Sequence, residues 1–175
     1  MCAQKAIWAL LASAIFAPAA YPCSIVGAIS NLKLVADADA IVRATAVEYA
    51  SPPASPLRTT GVPDSTVRFK VIETIRGPQM ADLTLPGYIV NKDDFNDHKP
   101  PYTFVRPGGR SGSCFANSYR AGAQFLLFLK KNSAGEFTVN WYALAPVNEQ
   151  LHSDIDPWLL WVREKAQTAE PTGRK

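Results

Sequence analysis

The sequence predicts a mainly β fold: a small closed or partly closed barrel of five strands with an α-helix at its C-terminal end. Three observations carry this. Five short runs rich in β-branched and aromatic residues are separated by connections rich in Gly and Pro. One run, Gln124 to Lys130, is almost continuously apolar and so reads as a central strand covered on both faces. After the last run, Asp156-Pro157 opens an amphipathic stretch with the signature of a helix start.

The chain opens on a segment to be set aside from the fold. Residues 1–20 read as a secretory signal peptide: Lys5 gives the positive start, Ala6 to Phe16 the apolar run, and Ala17-Pro18-Ala19 the small-residue cleavage site. The run falls short of the roughly 20 residues that span a bilayer, and nothing later is long and apolar enough. The expected mature protein is a single exported domain over 21–167, periplasmic or extracellular, with a disordered polar tail over 168–175. Pro22 directly before Cys23 is a poor match to a lipid-attachment box.

The elements follow in order. Asn31 to Ala36 has the pattern of a helical turn or two. Ile41 to Tyr49 reads as the first strand, β-branched and free of breakers. Ala50 to Ser65, with Pro52, Pro53, Pro56, Gly61 and Pro63, is a loop. Thr66 to Arg76 is the clearest strand. Val67, Phe69, Val71 and Ile75 share one face, and Gly77-Pro78 stops it. A short strand at Asp82 to Leu85 ends at Pro86-Gly87. Gly87 to Ser113 is irregular, polar and unusually long, a length that marks functional or mobile segments. Strand Gln124 to Lys130 turns through Lys131 to Gly135 into Glu136 to Leu144, where Phe137, Val139, Trp141 and Ala143 alternate with polar residues. In the final helix Trp158, Leu159, Trp161 and Val162 form the apolar stripe, with Arg163 and Lys165 toward the C-terminal end of the dipole. Five strands, one long loop and a helix fit a barrel of the oligonucleotide/oligosaccharide-binding (OB) type. An open sandwich is the alternative.

The chain carries a formal charge of +3, or +2 once Lys5 leaves with the leader. So mild a balance gives no footing for nucleic acid. Of three cysteines, Cys2 goes with the leader, which leaves Cys23 and Cys114. Export favours a disulfide between them. It would close a loop of about 90 residues, worth about 4–5 kcal/mol on the chain-entropy model. The rivals are two separate thiols or a metal pair, and two cysteines without a nearby His make a poor zinc site.

Three stretches resemble the N-terminal, netrin-like domain of the tissue inhibitors of metalloproteinases, in the same order. They are Cys23-Ser24 followed by Ala38-Asp39-Ala40-Ile41-Val42-Arg43-Ala44, then Phe69 to Pro78 ending in Arg76-Gly77-Pro78, and Ser113-Cys114-Phe115 followed by Tyr119 to Phe128. The likeness covers about residues 23–165. It implies an OB-type barrel, here as in the reduced bacterial members, and a Cys23–Cys114 bridge. The chain departs from the family in having at most one disulfide, Ile25 where a second cysteine belongs, and no second inhibitory domain.

The resemblance also implies a chemistry. A terminal cysteine offers its α-amino nitrogen and carbonyl oxygen to a protease zinc and displaces the water the metal would activate. Here those groups would be those of Cys23, with Ser24 directed at the specificity pocket. The mechanism requires Cys23 to be the first mature residue, and Pro22 makes a poor cleavage position. The reading placed first is therefore a non-catalytic protein-binding module, expected to be a monomer without a cofactor. Its candidate contact surface is the long loop, with Tyr88, Phe95, Tyr102 and Phe104 as aromatic anchors or, on the plainer reading, as rings closing the barrel end. Asp93, Asp94, Asp97 and His98 have the composition of a calcium or hydrolytic site but not its spacing, and a solvated turn explains them. No nucleophile stands beside His98, and His152 reads as a surface or capping residue, so no enzyme is expected.

Overall fold

A computed structural model describes residues 29–55, 62–110 and 114–168. Among them are eight strands, two α-helices and a 3-10 turn. Helix α1 (Asn31–Asp37) is capped by Ser30, whose Oγ accepts from Lys33 N at 3.2 Å. The strands are β1 (Ala40–Ser51), β2 (Thr66–Arg76), β3 (Asp82–Pro86), β4 (Tyr88–Val90), β5 (Ser118–Arg120), β6 (Gln124–Lys131), β7 (Phe137–Val139) and β8 (Asn148–Gln150). Helix α2 (Pro157–Thr168) closes the chain.

The main sheet runs β3-β2-β1-β6-β7, antiparallel throughout, and β8 also pairs with β6. Strand β6 is central, as its composition predicts: Phe125, Leu126, Leu127, Phe128 and Leu129 are all fully buried. One of its edges is taken by β1. The other is shared, β7 covering Leu129 to Lys131 and β8 covering Phe125 to Leu127. That sharing explains why β7 is shorter than the expected Glu136 to Leu144. After the rung from Asn140 N to Phe128 O the β6 edge belongs to β8, and Trp141 N turns back onto Val139 O at 2.9 Å.

Four register shifts between β1 and β2 bend the pair. Bulges of this kind add twist and curl a sheet. The curl brings the outer strands β3 and β7 close to each other. No hydrogen bond joins them, and a groove of about 550 Å³ separates them. The sheet is thus mainly β and antiparallel as expected, but the closed barrel is not formed. The three extra strands are β8 and a small parallel pair, β4 with β5, inside and beside the segment expected to be irregular.

Helix α2 starts as its sequence dictates. Asp156 Oδ1 accepts from Trp158 N at 2.9 Å and Oδ2 from His152 N at 3.0 Å, while Pro157 fills the first helical position. Trp158, Leu159 and Val162 face the core. Trp158 meets Trp161, Tyr102 and Phe128 at ring separations of 5.2, 5.6 and 6.1 Å. Arg163 holds Glu73 of β2 with two hydrogen bonds. No helix among the described residues is long and apolar enough to cross a membrane.

Candidate functional site

Strand β8 places three polar residues, Asn148, Glu149 and Gln150, where a core strand carries apolar ones. All three are buried. Buried polar groups need partners; the side chains of Glu149 and Gln150 find them on the long loop, and Asn148 finds its own on the segment just after it. Gln150 Oε1 accepts from Asp94 N at 3.0 Å, and its Nε2 donates to Asp93 Oδ1 at 2.5 Å. Glu149 Oε2 accepts from Asn96 Nδ2 at 2.8 Å, and Oε1 from Arg106 N at 3.2 Å. Asn148 Nδ2 donates to Tyr119 Oη at 2.9 Å and to Ala116 O.

Arg106 sits at the middle of this network and is 0% exposed. Its Nη1 donates to Asp94 Oδ2 at 2.6 Å, its Nε to Asn148 O at 3.2 Å, and its Nη2 to Ala116 O and Ser118 O at 3.1 and 2.8 Å. Its guanidinium lies over the rings of Phe125 and Tyr119, 5.3 and 5.8 Å from their centroids. Such a fork of planar donors suits Arg and no other side chain. The turn that follows is drawn in as well: Asp94 Oδ1 accepts from Gly108 N at 3.0 Å. Asn96 Nδ2 also ties Phe104 O at 2.8 Å, and Asn96 Oδ1 accepts from His98 N at 3.0 Å.

Arg106 therefore serves two carboxyl groups, Asp94 through its guanidinium and Glu149 through its backbone N–H. Burial raises the Glu149 carboxyl to about 7 against the pull of Arg106 and Asn96. Burial likewise pushes the Tyr119 hydroxyl up to about 12. Glu149 is 0% exposed, so no substrate reaches it as the chain stands. The arrangement holds the loop; it does not present reacting groups.

The residues singled out from the sequence are dispersed around this network. Tyr88 and Tyr102 are each 3% exposed, and Tyr102 belongs to the main core. Phe104 packs against a small cluster of Val105, Ala116 and Leu144, with Arg110 5.4 Å from its centroid. Phe95 stacks on His152 with 4.1 Å between centroids. Asp93 and Asp97 are exposed, as a solvated turn has them, and Asp94 is partly buried; each also pairs with an arginine, Asp93 with Arg120 at 3.3 Å, Asp94 with Arg106 and Asp97 with Arg110. His98 lies 3.7 Å from Asp97.

Cys114 is disulfide-bonded and adopts φ +60°. Its carbonyl accepts from Leu144 N at 2.9 Å, and Leu144, also at φ +60°, accepts from Val105 N at 2.8 Å. Two non-glycine residues in this costly region thus meet at the base of the loop. Cys23 and Ser24 lie outside the described residues.

Sequence reasoning passed over Arg106, Glu149, Asn96 and Asn148. The usable signal was a polar triplet, Asn148-Glu149-Gln150, set between the apolar Val147 and Leu151, which demands partners if it is buried. A pocket of about 240 Å³ opens beside the loop, lined by Asp93, Phe95, Arg120, Gln124, Gln150 and His152 among others. Gln124 Oε1 is buried without a partner. No protein-family model matches the chain, and no curated protein does so either.

Proposed function

We propose that the chain is an exported, non-catalytic protein-binding module of netrin-like type. The observation that carries this is the clamped loop. Some twenty residues of irregular chain are held on β8 by a buried network centred on Arg106, which leaves Lys92, Asp97, His98, Lys99 and Thr103 exposed on a fixed frame. A loop ordered in advance loses little entropy when it meets a partner. Function on a scaffold of this kind tends to lie in such loops. The pocket beside Phe95 and His152 offers the same face a recess lined by polar side chains. A strand order of β3-β2-β1-β6-β7 that would close if β3 met β7 supports an OB-type ancestry for the sheet.

The test is photo-crosslinking in the exporting host. A crosslinker at Lys99 or Thr103 is expected to trap one discrete partner that a crosslinker at Glu164, on α2, does not. Equal trapping from both positions, or none from the loop, sinks the reading.

The second reading is inhibition of a metalloprotease through the Cys23 amine and carbonyl, with a Cys23–Cys114 bridge holding the wedge. The disulfide at Cys114 favours it. The intact mass of the exported protein, with and without reduction, decides the prerequisite. A start at Cys23 with two protons gained on reduction keeps zinc chelation open, since the terminal amine is then free to bind metal. A start at Ala20 or Tyr21 removes it.

A further inference from the structure

Strand β8 and the long loop enclose an unbalanced set of charges. Arg106 is its one cation among the described residues, and it meets two carboxyl groups, Asp94 on the loop and Glu149 on β8. Asp94 takes the guanidinium itself at 2.6 Å. Glu149 takes only the Arg106 backbone N–H, at 3.2 Å, and the Asn96 amide, at 2.8 Å. The other arginines of this face are engaged elsewhere, Arg110 with Asp97 and Arg120 with Asp93. The histidines lie outside, His98 against Asp97 and His152 against Phe95. Tyr102 faces Glu149 from the loop, and Tyr119 faces Arg106 from β5. Burial pushes both hydroxyls up to about 12, so both stay neutral. Asp156, at the cap of α2, faces Tyr102 and brings no positive charge. An ionised Glu149 is therefore a carboxylate at 0% exposure with no cation of its own.

Glu149 also joins both arms of the loop to β8, since its two oxygens hold residues 96 and 106. Protonated, the carboxyl keeps an acceptor for each donor, because a hydroxyl oxygen still offers a lone pair. Ionised, it needs water or a counter-charge, and the covering loop keeps water out. Strand β8 is laddered onto β6 from Asn148 to Gln150, whereas the loop reaches β8 mostly through side chains. The loop is thus the part that yields.

We infer that Glu149 is a pH-sensitive latch: its ionisation lifts residues 94–106 off β8, so the loop is set for a partner in mildly acid surroundings and slackens as they turn alkaline. The control over binding rests on the loop reading; the opening itself does not. Burial holds the closed carboxyl at about 7 against an ordinary 4.5. Opening therefore releases a proton between those values. The opened fraction should rise about tenfold per pH unit from about pH 5 to about pH 7 and level off above.

The test is amide exchange of the full 15N-labelled chain from about pH 5 to about pH 8.5, expressed as protection factors so that the intrinsic pH dependence of exchange cancels. The amides of Asp94 and Arg106, bonded to Gln150 and Glu149, should lose about a hundredfold in protection by about pH 7 and little more beyond. They should stay well below Phe128 at every pH and respond little to urea, because a local opening exposes little surface. Asp94→Asn leaves Arg106 to Glu149 alone and should move the level region about one unit toward acid. Glu149→Gln should remove the pH dependence. Should that variant not fold, the 13C carboxyl titration of Glu149 in the native chain decides, with a midpoint of about 7 expected. A midpoint below about 5, loop protection independent of pH, or loop amides that match Phe128 throughout overturns the inference. A crosslinker at Lys99 should trap several-fold less partner at about pH 8 than at about pH 5.5. Equal trapping overturns the latch and leaves the loop reading standing. Trapping at neither pH sinks the loop reading alone, and the protection factors still decide the latch.

Discussion

Glu149 meets two donors and no acceptor: Asn96 Nδ2 on one oxygen and Arg106 N on the other. Hydrogen bonding therefore favours the carboxylate, while burial opposes it more strongly and lifts the group to about 7. A carboxyl with a raised folded pKa binds more protons folded than unfolded between its two values. Its stabilising share is full below the unfolded value of 4.5 and is lost as pH rises through about 7. Thermal melts of the native chain are expected to decline from about pH 5 to about pH 8 on this account. Glu149→Gln should flatten that slope. It should also lower stability by about 1–3 kcal/mol, because the new amide must turn an N–H toward a donor whichever way it lies. A slope unchanged in the variant would place the titration elsewhere. Arg106→Met tests the other half. It removes the guanidinium partner of Asp94 Oδ2 and a donor from three carbonyl oxygens, of which Ala116 O keeps Asn148 Nδ2, so a loss of about 3–5 kcal/mol is expected. Trypsin cleavage after Lys92 should quicken by more than the global loss explains.

Among the elements, α2 and β2 were the most legible in the sequence. Strand β2 has the bounds its pattern gives, and α2 begins at the residue its cap and proline indicate, because both signals are local. Strand β8 was not legible, for its polar residues make sense only beside a loop some forty residues away. The same reason hid the end of β7, which is set by competition for the β6 edge rather than by its own alternation. The aromatic anchors were visible as residues but not as a surface: Tyr102 closes on Trp158, so only Phe95 and Phe104 remain partly open. The cap of α2 carries a local prediction. Asp156 serves both Trp158 N and His152 N, so Asp156→Ala leaves two amides unpaired. It should cost about 2 kcal/mol, the upper end for a cap. Asp156→Asn should recover only part of that in chemical denaturation, since its one carbonyl oxygen still accepts while its Nδ2 must face the other N–H.

For the whole molecule, the question is whether five strands enclose a core or merely curl over one. The interior is built around β6 and β1, with rings of Phe69, Tyr119 and Phe125 in edge-to-face contact between 4.9 and 6.3 Å. Helix α2 covers another part of that core through Trp158. The sheet can thus stay open at β3 and β7 without exposing its centre, which a closed barrel would seal with a further ladder. Opening free energies vary along a fold, and they follow how many partners each backbone segment has. Native-state hydrogen exchange should therefore be slowest in β6, β1 and the first half of β2, which are paired on both edges, and intermediate over residues 72–76 of β2, which β1 alone covers. It should be faster at the outward amides of Thr84 and Phe137, and fastest in the small β4–β5 pair. Equal protection of Thr84 and Phe128 would mean that the seam is bonded in solution. That outcome would convert the sheet into a true barrel.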